Sequence, residues 1–103
     1  MGFWDLARLQ LEEFRPGIMS RAEIGDNLMM VCMRIDPGKE DRGHHHPFDQ
    51  CGIILEGQIE MFVEKEKRVL KPNDAYFISA GRHHGWKTFD RPAKILDITP
   101  KQT

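Results

Sequence analysis

The chemistry in this sequence concentrates in its five histidines, which fall in two clusters, His44-His45-His46 and His83-His84. Successive residues of a β-strand face opposite sides, so His44, His46, Phe48, Gln50, Gly52 and Ile54 share one face if a strand runs unbroken past Pro47. The second cluster follows about thirty residues later, far enough for one or two strands to bring the chain back alongside the first. Separated imidazoles on converging strands predict a divalent-metal site, and a site with open coordination positions can polarise an oxygen or acidify a bound water. The competing reading is a solvated loop. The position of the histidine run in mid-chain, opening a segment of strand composition, separates it from a terminal tag.

The spacing carries a family resemblance. Gly38, five residues, His44, one residue, His46, three residues, Gln50, six residues and Gly57 resemble the first motif of the cupins, with Gln50 where most cupins have Glu. The stretch NDAYFISAGRHHGWKT, residues 73–88, resembles the second cupin motif. Asn73 stands there for its first glycine, Ser79 for its proline, Gly81 for its second glycine, His84 for its histidine and Thr88 for its final Asn. Together with the flanking strands the resemblance runs from residue 17 to residue 100. It implies that His44, His46, Gln50 and His84 hold one divalent ion: zinc, nickel, iron(II) or manganese(II). The Gln is neutral, so three His and one Gln leave the ion its full positive charge, which favours Lewis-acid work over oxidation.

Within the cupins the chain resembles the small single-domain group that linearises unsaturated uronic acids released from pectin and alginate. The resemblance lies in DNLMMV at 26–31, HHHPFDQ at 44–50 and Leu96-Asp97. In that group an aromatic and an arginine follow the Asp that matches Asp97, whereas this chain has Thr99 and then Pro100-Lys101-Gln102-Thr103. The implied activity is a non-redox isomerase or lyase on a small sugar acid. A mononuclear metal dioxygenase and a non-catalytic small-molecule-binding barrel are the alternatives on the same fold.

The elements that must position these residues read as strands. Residues 17–24 and 28–35 predict a hairpin turning at Gly25-Asp26-Asn27. Asp36-Pro37-Gly38 is a turn, and the charged residues 39–42 read as loop. Ile59, Met61 and Val63 alternate with polar neighbours in a strand over 58–64. Residues 68–70, 75–78, 84–89 and 93–99 complete the set, separated by Lys65-Glu66-Lys67, Lys71-Pro72-Asn73-Asp74 and Asp90-Arg91-Pro92. Eight or nine short strands without a long helix predict an all-β fold, a double-stranded β-helix or jelly roll, the cupin barrel. Residues 1–16 predict a short helical or extended N-terminal arm ending at Pro16, and residues 17–103 the barrel.

Further candidates lie around the metal residues. Asp97 interrupts the apolar run Ile95-Leu96-Asp97-Ile98, and a carboxylate inside a barrel needs a partner or a task, so it is the candidate general acid and base. Arg82 could meet a substrate carboxylate, while Trp86, in phase with His84, and Phe48, in phase with His46, could wall the pocket. His45 and His83 should face away. Cys32 and Cys51 read as small buried thiols, and the methionines of 19–33 as core filling.

Fifteen basic against sixteen acidic residues argue against a nucleic-acid or anionic-membrane surface, which needs a basic excess. The longest apolar run is too short to span a bilayer and no signal-peptide pattern opens the chain, so a cytoplasmic location is expected. One domain is expected from 103 residues, with a small-molecule substrate as its partner. The resemblance adds a homodimer, with the arm packed across the second copy.

Overall fold

A computed structural model describes residues 2–102. The hairpin forms as predicted: β2 (Ile18–Ile24) and β3 (Leu28–Ile35) pair antiparallel from Ile18 opposite Ile35 to Ile24 opposite Met29. The Gly25 N–H closes their turn on the Leu28 carbonyl at 2.8 Å. Outside β2 lies β1 (Glu12–Arg15), so the last residues of the expected arm are extended and form the edge of a sheet. On the other side of β3 come β10 (Ala93–Pro100), β5 (Gln50–Glu56) and β8 (Ala75–Ile78), giving a six-stranded sheet in the order β1-β2-β3-β10-β5-β8. Buried Lys94 ties residues 2–11 to this sheet, its ammonium donating to the Leu6 carbonyl with Glu56 Oε2 3.6 Å away.

The second sheet has four strands in the order β4-β9-β6-β7, from β4 (Glu40–His44), β6 (Ile59–Val63), β7 (Glu66–Leu70) and β9 (His84–Thr88). All pairings in both sheets are antiparallel. The presence of β4 corrects the expected loop at 39–42. Its charges hid an alternation in which Glu40 and Arg42 face out, joined at 3.3 Å, while Asp41 and Gly43 turn partly inward. The strand count is therefore ten among the described residues.

The two sheets close on Ile18, Ile35, Ile54, Ile59, Met61, Leu70, Ile78, Ala93 and Ile95. Six of these nine are isoleucines, the β-branched type that suits a pleated, half-buried surface, and each fully buried one contributes roughly 1.5–3 kcal/mol. Met33 packs against this cluster and Cys32 is buried, whereas Cys51, Met19, Met29 and Met30 are half-buried and lie outside it, so the expected core filling holds for Met33 and Cys32. No helix among the described residues is long and apolar enough to cross a membrane.

One further correction matters for the site. The strand does not run unbroken from His44 to Ile54. β4 ends at His44 and β5 begins at Gln50, so residues 45–49 carry the chain from one sheet to the other. Pro47 has no N–H for a ladder and favours that crossing. The segment is tied across its length, by Gly81 N–H to the His46 carbonyl at 2.8 Å and by Ala80 N–H to Asp49 Oδ1 at 2.9 Å.

Candidate metal centre

The four-stranded sheet sets two of the imidazoles side by side. His44 on β4 stands directly opposite His84 on β9, with ring centroids 4.4 Å apart. A bulge precedes this pair, where Gly43 has φ of 134°, a conformation that favours glycine, and a Cβ there would strike the His83 ring. His46, on the crossing segment, completes the triangle at 5.2 Å from His44 and 4.8 Å from His84. Each imidazole offers a nitrogen, and the three nitrogens lie within 4.8 Å of one another.

The surroundings orient each ring. His84 is 3% exposed, and its Nδ1 lies 2.8 Å from the Arg82 carbonyl. A carbonyl only accepts, so Nδ1 carries the proton and Nε2 keeps its lone pair, which is buried with no protein partner. Burial lowers the pKa of His84; the Arg82 carbonyl opposes this, and His44 and His46 add to the lowering. It is thus held neutral, the form that binds metal. Asp41 Oδ2 sits 3.1 Å from His44 Nδ1. Partial burial raises the Asp41 carboxyl, but the Gly43 N–H and His44 outweigh it and hold it below its ordinary value. The His46 ring stacks on Phe48 at 4.1 Å with 4° between planes.

The six-stranded sheet supplies a second group of polar residues. Asp97 on β10 is 9% exposed. Gln50 Nε2 donates to both of its oxygens, at 3.0 Å to Oδ1 and 2.9 Å to Oδ2. The Tyr76 hydroxyl donates to Oδ1 as well. Burial raises the Asp97 pKa against the opposing pull of Tyr76, Gln50, His46 and His84. Burial first and Asp97 second raise that of Tyr76, so the phenol keeps its proton. With its amide nitrogen on the carboxylate, Gln50 leaves Oε1 buried and unpartnered.

These donors fit a divalent cation. A buried acceptor without a partner costs about 1–3 kcal/mol, and both His84 Nε2 and Gln50 Oε1 are of this kind. Imidazole nitrogen and amide oxygen suit a borderline divalent ion, and three His could hold one with positions left open.

The cupin domain profile matches residues 31–99 of this chain. The chain belongs to the cupin family. This cupin is 34% identical over 79 residues to the pectin degradation protein KdgF of Dickeya dadantii, spanning 75% of this chain and 72% of that one. Its fold superposes on the structure of KdgF from Halomonas sp. with a TM-score of 0.86 and 27% identity, covering 100% of this chain and 96% of that one. TT1209 from Thermus thermophilus gives a TM-score of 0.84 at 26% identity, with 100% of both chains covered.

The other expected residues fall at different distances from this cluster. Phe48 touches it through His46. Trp86 packs against the core cluster between the sheets, opposite Asp41 and Met61 in register. Arg82 is exposed, and it reaches the cluster through its backbone carbonyl. His45 and His83 are exposed, with His83 lying 5.5 Å from the Phe62 ring. Two members of the site were not anticipated. Asp41 was hidden in a charged run, and Tyr76 in a strand with no spacing relation to Asp97. The available signal for Tyr76 was Gly52: a glycine inside a strand marks close approach of another group.

Proposed function

We propose that this cupin is a metal-dependent, non-redox isomerase or lyase acting on a small sugar acid of the unsaturated-uronate type. The observation that carries the reading is the Gln50 amide, which donates to a buried carboxylate through its nitrogen and leaves its carbonyl oxygen unpartnered. Similarity to two KdgF proteins, one described by its role in pectin degradation, supports the substrate class.

In this reading His44, His46, Gln50 and His84 hold one divalent ion: zinc, nickel, iron(II) or manganese(II). Bound there, the ion supplies Lewis acidity toward a substrate oxygen. Asp97 is the acid and base. It takes a proton from the ring hydroxyl as the adjacent ring C–O bond opens and returns one to the alkene carbon, so atoms balance as an isomerisation. Burial raises the Asp97 carboxyl above its ordinary value, which makes it a stronger base than an exposed aspartate. Arg82 meets the substrate carboxylate, and Phe48 and Trp86 wall the pocket and restrict water.

Proton NMR of unsaturated galacturonate incubated with the purified protein tests this. Ring opening should stop on chelation and in His44→Ala, and return on adding the divalent ion to chelated wild type. Equal turnover by chelated protein and by His44→Ala would overturn the metal role.

A further inference from the structure

The strand register brings an aspartate, a glycine and a tyrosine into one row. Asp97 on β10 stands opposite Gly52 on β5, and Gly52 stands opposite Tyr76 on β8. Asp97 and Tyr76 are thus two strands apart, roughly 9–10 Å between backbones at the ordinary strand spacing. The phenol crosses that gap only because position 52 has no side chain: a Cβ there would collide with the Tyr76 ring and with the Leu96 carbonyl. The hydroxyl then reaches Asp97 Oδ1, the oxygen that also accepts from Gln50 Nε2.

A side-chain amide can present either end by a half-turn, and a carboxylate accepts only from the NH2 end. Asp97 therefore decides which end of Gln50 is left over, and Tyr76 holds Asp97. We propose that Tyr76 is a positioning residue of the metal centre: by fixing Asp97 it locks Gln50 with its carbonyl oxygen presented as a ligand. This rests on the reading of His44, His46, Gln50 and His84 as the ligand set. The same row accounts for Gln at a position where the cupin motif has Glu, since a Glu would set carboxylate against carboxylate and take away the amide donor, leaving Asp97 the Tyr76 hydroxyl alone of the two.

Co2+ titration of the full chain, followed by visible absorption, tests the inference in wild type, Tyr76→Phe, Gln50→Ala and the double variant, with thermal unfolding of each as a check on folding. Outer partners of ligands are worth about 10–100-fold in metal affinity, and Tyr76→Phe should fall in that range with its Co2+ bands displaced in the same sense as those of Gln50→Ala. In the Gln50→Ala background the same change should weaken binding by less than about twofold, because residues acting through one another are not additive. Gly52→Ala, which keeps the hydroxyl and displaces the ring, should reproduce the loss. Folded Tyr76→Phe and Gly52→Ala proteins with wild-type affinity and bands would overturn the inference while the metal centre stands. An undiminished effect of Tyr76→Phe without Gln50 would also overturn it. Wild-type protein that gives no Co2+ bands would remove the metal centre itself and this inference with it.

Discussion

The two sheets contribute opposite kinds of chemistry to one place. The four-stranded sheet brings His44 and His84, bases whose nitrogens converge, His84 buried and the His44 side chain 41% exposed. The six-stranded sheet brings Gln50 and Tyr76, half-buried donors that end on the buried carboxylate of Asp97. Residues 45–49 join the halves and carry His46 between them. The contrast teaches that the imidazoles and the buried carboxylate are set by separate sheets, so substitutions at His84 and at Asp97 can be read apart, while Gln50 belongs to both in the proposed ligand set.

Asp97→Asn should break the division most sharply. Loss of a general acid or base costs about 100- to 10,000-fold in turnover, and Asp97→Asn saturated with metal should lose that much toward the unsaturated uronate. Steady-state assays at saturating metal give the number; turnover within about threefold of wild type would assign the proton transfer elsewhere. His84→Ala attacks the other sheet. Its affinity for Co2+ should fall by more than the ~100-fold that an outer partner is worth, read by chelator competition, while the circular dichroism of the β-fold persists.

Gln50→Glu confuses the two halves deliberately, setting a second carboxylate against Asp97, whose pKa burial has already raised. Chelated protein should lose about 1–3 kcal/mol of stability near pH 8. A carboxyl with a raised native pKa binds its proton more tightly folded than unfolded, so stability rises as pH falls and the deficit should shrink toward about pH 5. Urea unfolding at both values decides it, and a deficit independent of pH would mean that the two carboxylates do not meet. Phe48→Ala should have the smallest effect. Removing a stacked ring costs about 0.5–1.5 kcal/mol, seen here as a few-fold weaker Co2+ binding through a less constrained His46.

The parts of this division differ in how visibly the chain encodes them. The hairpin over β2 and β3 was legible because its turn residues and its alternation agree, and His44, His46 and His84 were legible through motif spacing. The change of sheet at 45–49 was not. A proline inside an apolar-flanked run reads equally as an edge strand or a crossing, and the outcome depends on the Gly81 and Ala80 bonds from distant positions in the chain. β4 was hidden because its outward charges match the composition of a loop, while its partner strand β9 lies far downstream. Asp97 announced itself as a charge in an apolar strand, but its partner Tyr76 did not, since their meeting is set by the register of β10 and β8 on the two sides of β5.

Gly52 gives this last arrangement an evolutionary price. Any larger residue there would run into the phenol on its way to the aspartate and into the Leu96 carbonyl. Positions 52 and 76 are therefore free to vary only as a couple. Among descendants of this chain, a lineage that acquires a side chain at 52 should be found to have surrendered the tyrosine, and with it the fixed orientation of residue 50.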